Sequence, residues 1–368
     1  MKEKRVFDQM RAYTPGKQIE EVKKEFGLDR IVKLASNENP FGFSEKVRQT
    51  ISDEVSSLEI YPDGYATELR SALAERLQVD GEQLVFGCGS DEVVTIICQT
   101  YLESGTNTIM ATPTFPQYRH NALVEGAEIR EVPLIDGYHD LDGMLEAVDE
   151  DTQVIWLCSP NNPTGCLINQ AQFNSFMEKC PAHVLVVMDE AYVEYIETDD
   201  YPDTIQALNK YPNLITLRTF SKAYGLAGLR IGYGVASKAI TKLLNITRGP
   251  FNTTSLAQKA ALVSIQDETF LKEITAKNIE NKQAFLQFCD EIGLSYYDSQ
   301  ANFVFVKLPI SGDELFQYLM SKGFIVRSGE ALGHPNGVRI TIGDKQDMEE
   351  MQALIKAYLA SSKEESLR

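Results

Sequence analysis

Short apolar runs alternate with helical periodicity through the middle of the chain, and this alternation constrains the fold more than any other feature. VIWLC (154–158), VLVVM (184–188) and LITLR (214–218) are too short for buried helices and rich in β-branched residues. QAQFNSFMEKC, between the first two, has the spacing of a crossover helix. Upstream, TELRSALAERL and DEVVTIICQTYL read as helices around the run QLVF, and TIMA as a strand before the helical QYRHNALVEG. RIGYGV continues the series. Strands alternating with helices predict an α/β fold with a mostly parallel sheet covered on both faces.

After about residue 252 the texture changes. A long helical stretch, 255–289, precedes ANFVFVKL, DELFQYLMSKG, FIVRSG, VRITIG and a last helix near MEEMQALIKAYL. That order describes a smaller α+β unit. The expectation is a large α/β domain at 50–255 and a small domain formed by 1–49 with 256–368, separated by a cleft suited to a small ligand.

Composition removes other classes. Of 368 residues 43% are apolar and 24% charged, as in ordinary globular proteins. Lys and Arg number 35 against 53 acidic residues, a net charge of −18 that disfavours nucleic-acid or anionic-membrane partners. The six cysteines include no C-x-x-C pair and the four histidines are not at ligand spacing, so neither a disulfide framework nor a metal site is expected. No apolar run suits a signal peptide or a membrane span. A cytoplasmic protein with small-molecule substrates is expected.

Four segments put polar groups at the ends of expected strands, where open α/β sheets bind ligands. FGCGSDEVV (86–94) runs from a strand through glycines to a helix starting near Ser90 and Asp91, whose free amides and dipole suit an anion. It also reads as a plain capped turn, and it lacks the third glycine of a dinucleotide fingerprint. SPNNPTG (159–165) makes a stiff turn with Asn162. In VLVVMDEAYVEY, Asp189 closes a buried strand, a costly place for a carboxylate without a partner, and Tyr192 follows. A helix cap is the alternative there. TFSKAYGLAGLR (219–230) brings Thr219, Ser221, Lys222 and Arg230 into one loop. A lysine in such a cleft can shed its proton and attack a carbonyl, and the arginine suits a phosphate. Together the groups match pyridoxal 5′-phosphate: a phosphate cradle, an amine for an aldehyde, a carboxylate for a ring cation, a phenol and an amide for a ring oxygen.

The ordered set SPNNPTG, VVMDEAY, TFSKAYGLAGLR and VRITIG resembles the fold-type I aminotransferases. AYTPGK, VKLASNENPFG, YPDG, FGCGSDE, ATPTFPQY and IVRSG narrow the resemblance to the bacterial branch acting on histidinol phosphate, over about residues 10–358. The resemblance implies Lys222 as the catalytic lysine that bonds the cofactor and moves the substrate proton. It implies Asp189 at the ring nitrogen, Asn162 and Tyr192 at the ring hydroxyl, and Phe115 on the ring face. Thr219, Ser221, Arg230 and the amides near Ser90 and Asp91 would hold the phosphate. Tyr61 would reach the neighbouring subunit's cofactor, making the active unit a homodimer. Arg339 would pair with a substrate carboxylate, while Tyr13 and Arg327 would hold the substrate phosphate at its far end. Asn37 lies where the family's N-terminal segment covers the site, with no role assigned. The implied reaction is transamination between histidinol phosphate and 2-oxoglutarate, giving glutamate; an aromatic amino-acid transaminase is the alternative, and a threonine-phosphate decarboxylase a lesser one.

Overall fold

The computed structural model describes residues 3–10 and 17–366. Its strands are β1 (Val32–Lys33), β2 (Leu84–Gly87), β3 (Asn107–Thr112), β4 (Glu128–Pro133), β5 (Thr152–Cys158), β6 (Leu185–Asp189), β7 (Leu214–Thr219), β8 (Gly232–Ala236), β9 (Ser295–Tyr296), β10 (Phe303–Lys307), β11 (Phe324–Ile325), β12 (Arg327–Ser328) and β13 (Gly337–Thr341). Strands β2 to β8 form one seven-stranded sheet in the order β2-β8-β7-β6-β5-β3-β4. Only β8 runs against its neighbours.

Side-chain alternation fills a core on each face of this sheet. Ile155, Leu157, Val186, Met188 and Leu214 enter one core with Phe173 and Phe176 of the crossover helix Gln170–Lys179. Val154, Trp156, Leu185, Val187, Ile215 and Leu217 enter the other, against helix Ser90–Tyr101. Two buried faces explain why these strands are continuous apolar runs. β4, which the apolar runs do not reveal, is the edge strand; its sequence EIREVP is charged and its side chains are partly exposed.

The second sheet, β12-β13-β10-β9, is antiparallel, and β1 pairs in parallel with β11. Leu34, Phe285, Val304, Leu315, Leu319, Val338 and Ile340 share its core. FIVRSG thus serves two sheets, its first two residues pairing with β1 and its Arg327–Ser328 with β13. The stretch 255–289 is two helices, Ser255–Gln266 and Glu268–Ile292, broken at Asp267. Its carboxylate is held by Ser44 Oγ and, at 3.0 Å, by Lys46 Nζ. Helices Glu45–Glu54 and Ser255–Gln266, beside the expected boundaries at 50 and 255, pack on each other, and Val47, Ala257, Ala260 and Ala261 are buried in the core of the large sheet.

One buried ion pair ties β7 to the end of β6. The Glu190 carboxylate is fully buried, accepts from Arg218 Nε at 2.9 Å and from Thr204 Oγ1 at 2.7 Å. Removing one partner strands a buried charge, so Arg218→Met should cost about 3–5 kcal/mol, seen as a lower urea midpoint. Adding Glu190→Gln should return much of that stability. A single variant as stable as the parent would show the pair to be without value.

Candidate active site

β2, β5, β6 and β7 all end at one edge of the large sheet, and β8 starts there. Polar residues just past these ends therefore converge, and they line a cavity of about 770 Å³. Ser90, Asp91, Phe115, Asn162, Asp189, Tyr192, Thr219, Ser221, Lys222, Arg230, Arg327 and Arg339 all border it. Tyr61 does not line it; it is 78% exposed and stacks on Phe251 at 4.8 Å. Tyr13 lies outside the described residues.

One end of the cavity is built for an anion. Helix Ser90–Tyr101 starts after Gly89, whose φ is 79°. A Cβ on Gly89 would come within 2.4 Å of the Arg230 guanidinium, and one on Gly232 within 2.4 Å of the Ser90 amide nitrogen. Only glycine lets helix start and arginine approach so closely. Arg230 donates to Ser221 Oγ at 3.2 Å, and to Cys88 O and Asp91 Oδ2 at 3.3 Å. The result is a cluster of hydroxyl, guanidinium and helix amides.

Asp189 lies at the end of β6 with its carboxylate buried. Burial pushes it up to about 6, opposed by the bond it accepts from Tyr118 Oη at 2.6 Å. Lys222 Nζ donates to Ser36 O at 3.0 Å and sits 5.7 Å from the centre of the Tyr192 ring. Burial first, and then the Arg339 charge, bring the amine down to about 8. Tyr192 Oη accepts from Asn37 Nδ2 at 3.0 Å and Asn162 Nδ2 at 3.4 Å.

Arg339 donates to Asn162 Oδ1 and to Ala35 O, both at 2.5 Å. Ala35, Ser36 and Asn37 thus hold Arg339, Lys222 and Tyr192 in turn. Asn37 itself has a left-handed backbone, φ 56°, and its Oδ1 accepts from Thr341 Oγ1 at 3.0 Å. The β12–β13 register sets Arg327 directly opposite Arg339. Cross-strand partners rise from one face of a sheet, and both arginines border the cavity. Sequence reasoning did not single out Tyr118, one helical turn beyond Phe115, or the wall formed by Thr95, Gln117, His120 and Asn121. The four wall residues reach the cavity, and Tyr118 reaches Asp189 behind it, only through the packing of helices Ser90–Tyr101 and Pro116–Glu125, which no local motif marks.

The chain that builds this cavity matches known proteins over nearly its whole length. Residues 29–356 match the family described as aminotransferase class I and II, and the chain belongs to that family. It is 53% identical over 364 residues, 99% of its length and 97% of the relative's, to histidinol-phosphate aminotransferase of Anoxybacillus flavithermus. The enzyme of that name from Bacillus subtilis subsp. natto is 51% identical over 98% of this chain and all of its own. Among solved structures, histidinol-phosphate aminotransferase of Sinorhizobium meliloti in complex with pyridoxal 5′-phosphate superposes with a TM-score of 0.88 at 27% identity, covering 96% of this chain and 97% of that one.

An amine brought down to about 8 is half unprotonated at pH 8, whereas a lysine near 10.4 is well under about 1% so. In the cofactor-free protein, a limiting acylating reagent at pH 8 should therefore label Lys222 ahead of the surface lysines, with a rate that levels off above that pH. Peptide mapping that finds Lys222 among the slowest lysines to react would contradict this.

Proposed function

We propose that the cleft binds pyridoxal 5′-phosphate and that the protein transfers the amino group of L-histidinol phosphate to 2-oxoglutarate, yielding imidazole acetol phosphate and L-glutamate in histidine biosynthesis. The carrying observation is the convergence of Lys222, Asp189, the Ser90–Ser221–Arg230 cradle and the Arg327–Arg339 pair on one cavity. The donor set fits the cofactor: the glycine-cleared cradle suits its phosphate, and the buried carboxylate suits a ring cation. When bound, the cofactor supplies an electron sink for the substrate's Cα–H bond.

The chain's own residues do the rest. Ser221, Arg230, Thr219 and the Ser90 and Asp91 amides hold the phosphate; Asn162 and Tyr192 hold the ring oxygen; Phe115 covers the ring. Lys222 Nζ takes up and returns the Cα proton, and its lowered proton affinity lets it act near neutral pH. Histidinol phosphate carries a phosphate ester where an amino acid has its carboxylate. Arg327 and Arg339 come from opposed positions of paired strands and both border the cavity, so that a dianion there would suit both. Glutamate's α-carboxylate, a single charge, needs only Arg339. Tyr13 is proposed to join the arginines at the phosphate.

Arg327→Ala should lower kcat/KM for histidinol phosphate about 30- to 1,000-fold and affect glutamate or phenylalanine much less. Arg339→Ala should impair all three. Equal losses on phosphorylated and unphosphorylated donors, with cofactor still bound, would favour the aromatic transaminase.

The active unit is proposed as a cytoplasmic homodimer. Tyr61 stands among exposed Leu58, Ile60 and Tyr65, an apolar surface that a second copy would cover. The proposed division is a large lobe near 45–266 and a smaller one from the remaining segments, since the helices at both boundaries pack in the larger core. Mixing Lys222→Ala and Tyr61→Phe chains should yield heterodimers with one intact site, more active than either parent. Demonstrated exchange without recovery would place Tyr61 within its own chain's function.

A further inference from the structure

Asp189 is held from behind by a residue that borders no part of the cavity. Tyr118 is fully buried on helix Pro116–Glu125, and its phenol donates to Asp189 Oδ2 at 2.6 Å. Its ring stacks on Trp156 at 4.7 Å and 11°, and Phe115 meets it edge-on at 5.4 Å. Trp156 is fixed in turn, Nε1 donating to Thr108 Oγ1 at 2.8 Å, and Thr108 Oγ1 donating to Val154 O at 2.8 Å. The phenol can neither rotate away nor find water. Among the described residues the carboxylate also accepts from the Ala191 amide, 3.1 Å from Oδ1.

We propose that Tyr118 is the positioning residue for Asp189: its phenol proton fixes the carboxylate's orientation and favours its ionised form, so that the carboxylate faces a ring cation in the cleft as an anion. The proposal rests on the reading of the cleft as a pyridoxal phosphate site. A donor that cannot turn away favours an acceptor, and the ionised carboxylate is the stronger acceptor. The other groups around Asp189 are the Asp91 and Glu190 carboxylates, the buried Cys158 thiol and the Tyr192 phenol. Both carboxylates raise Asp189, as burial does, and Tyr118 opposes them. Loss of the phenol therefore moves Asp189 further up from about 6, and ionisation then requires a higher pH.

Tyr118→Phe keeps the ring and its stack and removes only the donor. Trp156 is the chain's single tryptophan and touches the Tyr118 ring, so quenching of its emission reports cofactor uptake independently of turnover. The full-length apoprotein, as wild type and as Tyr118→Phe, is titrated with pyridoxal 5′-phosphate and with its N-methylated analogue, whose ring nitrogen is cationic at every pH. The expected result is uptake in both chains, a kcat lowered about ten- to hundredfold in Tyr118→Phe with KM within about threefold, and an acid limb of the rate profile moved to higher pH. The analogue should narrow the gap between the two chains, because a fixed cation holds Asp189 ionised without help from Tyr118. An unchanged kcat and acid limb, or a gap the analogue leaves as wide, overturns the inference. A variant that loses thermal stability and takes up neither compound makes Tyr118 a packing residue and overturns it too. A folded wild type that shows no quenching with pyridoxal 5′-phosphate overturns the reading of the cleft itself.

Discussion

Parallel pairing of β5, β6 and β7 is the interaction on which the site depends. In-register parallel strands end together, and Cys158 pairs with Asp189 at that edge. Each strand is buried on both faces, so a one-residue slip would be resisted by two cores at once. Groups from distant parts of the sequence thus meet within one cavity. The reversal at β8 matters equally: because it runs the other way, its start lies at the same edge, and Arg230 just before it reaches the turn after β2.

What was legible in the sequence follows from that geometry. β5, β6 and β7 show as unbroken apolar runs because neither face meets water, and the polar residues after them show as interruptions. β4 is invisible in the same terms because an edge strand alternates and carries charge. The break at Asp267 was hidden because the helical period continues through it; it is held by Ser44 and Lys46, more than two hundred residues away. The relation of Arg327 to Arg339 was hidden for a similar reason, since register belongs to a pair of strands and not to either alone. The motifs picked out residues that the fold brings to one cavity, and Asn37 was placed over it without a role; the bonds that Asn37 makes to Tyr192 and Tyr118 to Asp189 became visible only in three dimensions.

The strap 35–37 shows how a segment with no regular structure can be as constrained as a strand. It uses two carbonyls and one amide side chain to hold an arginine, a lysine and a tyrosine that come from three different parts of the chain. The left-handed backbone at Asn37 is a cost to the segment, offset by bonds from Thr341 and Asn302.

The same strap sets a timetable for the nascent chain. Asn37 and its partner Thr341 are 304 positions apart, and β1 waits for β11. At about 5–20 residues per second, synthesis leaves Asn37 without Thr341 for on the order of 15–60 s. The large sheet can close on the ribosome in that interval, while the strap that meets Lys222 through Ser36 still lacks its anchor at Thr341. A chain still attached to the ribosome would therefore own the sheet-edge side of its cavity before the side that carries Arg327 and Arg339, so that the closed cavity is the last property the molecule acquires.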